Sequence, residues 1–136
     1  MRPLVAAKAH LRQPPLSTVV SAPNRMLNRG AVIIRPRQPY IDWANGLDDS
    51  DLVPTPEGEH TVYLIPAYEN DDQAMLILST CYQAIFEAEL LGWHTDESDW
   101  PNDRSFILFQ EWFSIELHSV VEDLCGYPFE DDTEWE

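Results

Sequence analysis

The fold class this chain predicts is α+β: a single small domain, about three strands with about three helices packed on the sheet. Three observations carry it. Apolar runs of strand character occur at 31–35, 61–65 and 115–124. A long capped amphipathic stretch lies between the second and third. The order strand, helix, strand, helix, helix, strand shows no internal repeat. At 136 residues one domain is expected, and an apolar content of 44% is too rich for a disordered chain.

Residues 1–29 contain no acid, four prolines (Pro3, Pro14, Pro15, Pro23) and five basic residues. Pro14-Pro15 stops any helix begun at Val5–Leu11, and no periodicity follows. This basic, Pro-containing N-terminal extension is expected to be disordered. An organellar transit peptide has the same composition, and Met26 offers an alternative start of translation; both readings stay open.

The acidic domain is expected over 30–128. Ala31–Arg35 is a β-branched run ended by Pro36, hence a strand. Pro39 suits the first turn of a short helix to Asn45, closed by Gly46, with Tyr40, Trp43 and Ala44 on its apolar face. Positions 47–60 carry Asp48, Asp49, Asp51, Pro54, Pro56 and Gly58 and read as loop. Thr61–Ile65 is the second strand, stopped by Pro66.

Asn70 then forms an N-cap with Gln73 three residues on, and Asp71 and Asp72 complement the helix dipole. Ala74, Ile77, Leu78, Cys81, Ile85, Ala88 and Leu91 share one stripe, widened by Met75, Tyr82 and Phe86. This helix is expected to be central, covered from two directions, and stopped by Gly92. Trp93–Arg104 is a polar loop, and Ser105 to about Phe113 a further helix. The next stretch admits two readings. Phe113, Leu117, Val120 and Leu124 continue a helix; Ile115, Leu117 and Val121 alternate as in a strand. A strand at Ile115–Leu124 is preferred, because two strands alone make a marginal sheet. Residues 129–136 form an acidic C-terminal tail.

Charge divides the chain in two. All 24 acids lie at or after Asp42, and seven of the eight Lys and Arg residues lie at or before Arg37. The formal charge is +7 over residues 1–41 and −23 over 42–136, where only Arg104 opposes the acids. Repulsion of phosphate opposes direct nucleic-acid binding by the acidic domain. A surface adapted to salt, with Lys8 as sole lysine, is an alternative source of the acidity. The longest uninterrupted apolar run is Ala74–Leu78, so no membrane-spanning segment is expected. Cys81 and Cys125, 44 positions apart without a CxxC, fit reduced thiols and a cytoplasmic location.

Motifs for chemistry are sparse. Cys81, Cys125, Ser105, His94 and His118 lack the spacing of a nucleophile elbow or a papain-type site. The acid runs 48–51 and 96–99 begin like EF-hand loops, but Leu52, Val53 and Pro54, or Trp100 and Pro101, take the following places. No HExxH, paired-Cys zinc pattern or Gly-rich phosphate loop is present in the sequence. No catalytic, cofactor-binding or metal-ligating residue is assigned.

One constellation stands out. Asp42, Trp43, Trp93, His94, Asp96, Asp99 and Trp100 place indoles beside carboxylates in segments flanking the helices. Indoles supply rigid contact area and carboxylates supply charge, the ingredients of a surface that docks a basic protein. The competing reading makes Trp43 and Trp93 core residues and the acids a solvated loop.

The segments 35–43 (RPRQPYIDW), 61–69 (TVYLIPAYE), 92–101 (GWHTDESDWP) and 111–124 (EWFSIELHSVVEDL) resemble a family of short acidic bacterial proteins of unknown activity. The resemblance implies a compact α+β domain in a bacterial cytoplasm and supplies no ligand or catalytic residue. The expected function is therefore non-enzymatic binding of a basic macromolecular partner. The alternative is a small metal-assisted hydrolase using loop carboxylates, with His94 or His118 as acid–base. A third role lets the basic head fold back on the acidic body.

Overall fold

A computed structural model describes residues 25–47 and 53–131. Its elements are β1 (Arg25–Met26), β2 (Arg29–Pro36), α1 (Gln38–Asn45), β3 (Val62–Pro66), α2 (Asp71–Trp93), a 3-10 turn (Glu97–Asp99), α3 (Phe106–Trp112), β4 (Phe113–His118) and β5 (Glu122–Asp123). The α+β class holds, with three helices and two small antiparallel sheets among the described residues.

The main sheet has the order β3-β2-β4, with the β-branched run of β2 at its centre. Alternation along β2 aims Val32 and Ile34, both fully buried, at the helices. They pair with Tyr63, Leu117 and Ile115 across the ladders. The opposite face carries Ala31, Ile33 and Arg35 beside Val62, Leu64, Glu116 and His118, which are their partners or lie on the same pleat. Gly30 is fixed by a close approach: a Cβ there would lie 2.5 Å from Cε1 of Tyr68, whose ring packs over the strand.

The strand reading of the region after α3 holds, with two differences. Phe113 is the first residue of β4 rather than the end of a helix, and it is 1% exposed. β4 then stops at His118, and after a three-residue connection β5 pairs with β1 as a second, two-stranded sheet. Leu27 N donates to Val121 O at 2.8 Å and ties the two sheets into one long antiparallel track. Thus residues 25–29, expected in the extension, hydrogen-bond with the body. The expected disorder of positions 1–24, the acidic stretch 48–52 and the tail 132–136 lie outside the described residues.

α1 forms as its sequence implies, with Tyr40 and Ala44 buried and Trp43 half-buried. Its last turn closes where Gly46 N donates to Asp42 O and Trp43 O at 3.1 and 3.2 Å. In α2, Asn70 Oδ1 accepts from Gln73 N at 2.9 Å. The return bond goes one residue further out, from Glu69 N to Gln73 Oε1 at 2.6 Å. The first satisfies an orphan donor of the first turn, and the second ties the residue before the cap to the helix.

Two expectations about α2 are corrected. The helix runs through Gly92 to Trp93, whose ring packs against the core, and His94 N closes the last turn on Leu90 O at 2.8 Å. Glycine costs a helix about 1 kcal/mol relative to alanine, which the seated Trp93 ring offsets. The buried face is Ala74, Leu78, Ile85, Phe86, Glu89 and Leu90, so Ala88 and Leu91 of the expected stripe face solvent. The reason is aromatic: Phe86 meets Phe109, Trp112 and Phe113 at centroid distances of 5.7, 5.8 and 5.5 Å. That cluster turns the second half of α2 toward α3. As expected the helix is covered from two directions, by β3 and by α3, while its outer face is open, with Leu76 69% and Leu91 53% exposed.

By length and composition α2 could cross a membrane, reaching a mean hydropathy of 1.3 in an 18-residue window that is 33% buried. Counting uninterrupted apolar runs missed this, because Ser79, Thr80 and Gln83 interrupt the pattern without adding charge. Its buried residues are the core of the fold. α3 starts at the Ser105 cap, whose Oγ accepts from Leu108 N at 3.2 Å.

Candidate functional site

The C-terminal halves of α1 and α2 and the 3-10 turn meet around Trp43. Its indole Nε1 donates to the main-chain oxygen of Asp99 at 2.9 Å, a bond spanning 56 positions. His94, leaving α2, holds Nε2 2.8 Å from Asp99 Oδ2 and sets its ring edge-on to Trp43 at 6.4 Å. Trp100 Nε1 returns to the main-chain oxygen of His94 at 2.9 Å. Three ring systems thus staple one short turn from both sides.

Asp96 builds that turn. Its Oδ1 accepts from Ser98 Oγ at 2.7 Å and Ser98 N at 3.1 Å. Those two bonds, the hydroxyl first, hold its carboxyl below the ordinary value of 3.8. Asp42 precedes Trp43 on α1 and accepts from Gln38 Nε2 at 2.8 Å. Asp42, Asp96, Glu97 and Asp99 are all exposed. Beneath, Trp43 contacts Tyr40 at 5.3 Å and Trp112 at 6.0 Å, which joins the turn to the aromatic core.

Of the residues singled out in the sequence, Trp43, His94, Asp99 and Trp100 are joined directly, and Asp96 lies in the same turn. One indole is not contact surface as expected: Trp100 is 8% exposed, with Arg104 over its ring at 5.8 Å. Trp93, like Trp43, packs half-buried against the core. Trp43 keeps one edge in reach of solvent. The arrangement is an anionic rim around a half-buried indole.

Other polar centres lie apart from it. On the open sheet face Glu116 bonds Arg35 through Oε1 and His118 through Oε2, the latter at 2.6 Å. His118 first, then Arg35, keep the Glu116 carboxyl below its ordinary value of 4.5. His94 and His118 therefore serve two separate carboxylates. Glu89, missed in the sequence, is buried at 2% exposure and accepts from the Tyr63 hydroxyl at 2.6 Å. Its signal was spacing: Glu89 falls four positions after Ile85 on the face that α2 buries.

Among the described residues no group of three or more His, Cys, Asp and Glu is placed to hold a metal ion. An open cleft of about 410 Å³ between β1 and the 128–129 region contains one carboxylate, Asp123, which already binds Arg25 at 2.7 Å. Cys81 and Cys125 are free thiols, and burial pushes Cys81 upward. Comparison with models of protein families, with curated proteins and with solved structures finds no match. The fold and site stand on their own geometry.

Proposed function

We propose that the protein is a non-enzymatic docking module that receives an arginine- or lysine-rich segment of a partner protein on the rim of Asp42, Asp96, Glu97 and Asp99, around the Trp43 indole. The observation that carries this reading is the stapled turn: the carboxylates of Asp96 and Asp99 are held by Ser98 and His94 before any partner arrives, so little ordering entropy is lost on binding. Charge supports it. Every described arginine already donates within the chain: Arg25 to Asp123, Arg29 to Asn28, Arg35 to Glu116, Arg37 to Gln110 and Arg104 to Pro101. The excess of acid is left for a cationic partner, and bacterial and cytoplasmic origin belongs to this same proposal.

The test is a titration of the isotopically labelled full chain with a short oligo-arginine peptide. The Trp43 indole N–H and the amides of 96–99 are expected to shift together, with affinity falling about tenfold between about 0.05 and 0.2 M salt. Asp96→Asn combined with Asp99→Asn should weaken binding about tenfold, two rim charges at roughly 0.2–1 kcal/mol each. Shifts spread evenly over all acidic segments, with no response at Trp43, would reduce the acids to a solubilising coat.

A further inference from the structure

In an otherwise acid-rich chain, the solvent side of α2 is nearly bare of charge. From Leu76 to Leu91 the exposed positions recur at helical spacing, and Glu87 is the only ionisable one among them. Leu76 and Leu91 close the two ends of this face, 69% and 53% exposed, with Thr80, Gln83, Ala84 and Ala88 between. The helix itself is immobilised from below by Ala74, Leu78, Phe86 and Leu90, each fully buried. It is a rigid, flat surface with small residues at its middle.

We infer that this face of α2 is a self-association surface, on which a second copy of the chain packs its own α2 antiparallel about a two-fold axis between Gln83 and Ala84. The register follows from the residue positions. That axis sets Leu76 against Leu91 of the second copy and Thr80 against its Glu87, so apolar ends meet apolar ends. Each Glu87 faces a neutral side chain and sits about 10 Å along the axis from the other Glu87. The isologous arrangement uses one patch twice, as a two-fold dimer requires.

Charge selects this occupant. Two copies of a chain with net charge −16 repel one another, and this sparsely charged face is where they approach with least like-charge contact. A lipid surface fits less well. The face has no Lys or Arg for headgroups, and Asp71 and Asp72 flank its start. The exposed strip is about 24 Å long and buries on the order of 1,000 Å² in total, the lower edge for a specific interface, so the dimer is weak and reversible.

Sedimentation velocity of the full chain across a concentration series tests this. A monomer–dimer equilibrium is expected that shifts toward dimer, by about tenfold in association constant, as NaCl rises from about 0.1 to about 1 M and screens the repulsion. Leu91→Asp and Ala84→Asp should each weaken association at least about tenfold without changing the circular-dichroism melt. Thr80→Lys, placed opposite Glu87 of the second copy, should strengthen it about threefold, while the charge-matched control Asn102→Lys leaves it unchanged.

A chain monomeric at every concentration and salt overturns the inference, as does a dimer indifferent to both aspartates. If Leu91→Asp lowers the melting temperature of a species that never dimerises, a segment of the same chain covers the face instead. Binding of that monomer to neutral phosphatidylcholine vesicles, abolished by Leu91→Asp, would assign the face to lipid. Either result overturns the second copy as occupant.

Discussion

The turn at 94–99 and the outer face of α2 are adjacent along the chain and opposite in physics. In the turn, carboxylates are concentrated, that of Asp96 held by Ser98 and that of Asp99 by His94, and any association there weakens as salt rises. On the helix one carboxylate is spread over a face of about four turns, and association there strengthens with salt because only body repulsion opposes it. Net charge alone describes neither surface. Under the two proposals one patch takes a cationic partner and another the chain's own copy, and the two are separable by ionic strength.

The two regions share a floor, and removing it erases the contrast. Phe86 lies on α2 and packs on Trp112, which in turn packs on Trp43. Phe86→Ala is expected to cost about 3–5 kcal/mol in urea unfolding and to weaken peptide binding and self-association together. A smaller effect sharpens the comparison. Trp43→Phe keeps the ring stack but deletes the bond to Asp99, and should cost about 1 kcal/mol while weakening only peptide binding. Loss of dimer in that variant would show that the regions are not independent.

Smaller still is the acid response of the turn. The folded carboxyl of Asp96 lies below the ordinary 3.8, so its stabilisation is complete above that value and is lost as pH falls through the lowered folded value. Urea unfolding of the native chain and Asp96→Asn should therefore differ at pH 6 and converge in acid, once pH has fallen through the lowered folded value. A difference that persists unchanged in acid would show that the bond geometry, not the charge, holds the turn. The smallest effect belongs to the helix face: Leu91→Asp should change monomer stability by no more than about 0.5 kcal/mol. A larger loss would mean the residue is covered.

How far these features were legible depends on the range of the contacts behind them. The cap at Asn70, the β-branched core of β2 and the short α1 were readable because each rests on residues within a turn of one another. The association of Trp43 with Asp99 was half legible: the residue types pointed to it, but which indoles stay at the surface did not follow from them. Trp100 is buried, its Nε1 bound to the main-chain oxygen of His94, whereas Trp93 and Trp43 are both half-buried against the core. Glu89 was hidden because a carboxylate on a buried helix face makes sense only once Tyr63 is known to lie across from it.

The amino-acid order by itself determined the α+β class, the capped start of α2 and the division of charge, because local propensity and composition do not depend on partners. Only the tertiary structure decided which side of α2 is buried, that β4 ends at His118 and that the acidic turn is stapled to α1. Those outcomes rest on contacts between residues far apart in the chain. There, the packing of Phe86 among Phe109, Trp112 and Phe113 outweighs the weaker preference of any single stripe or stop signal.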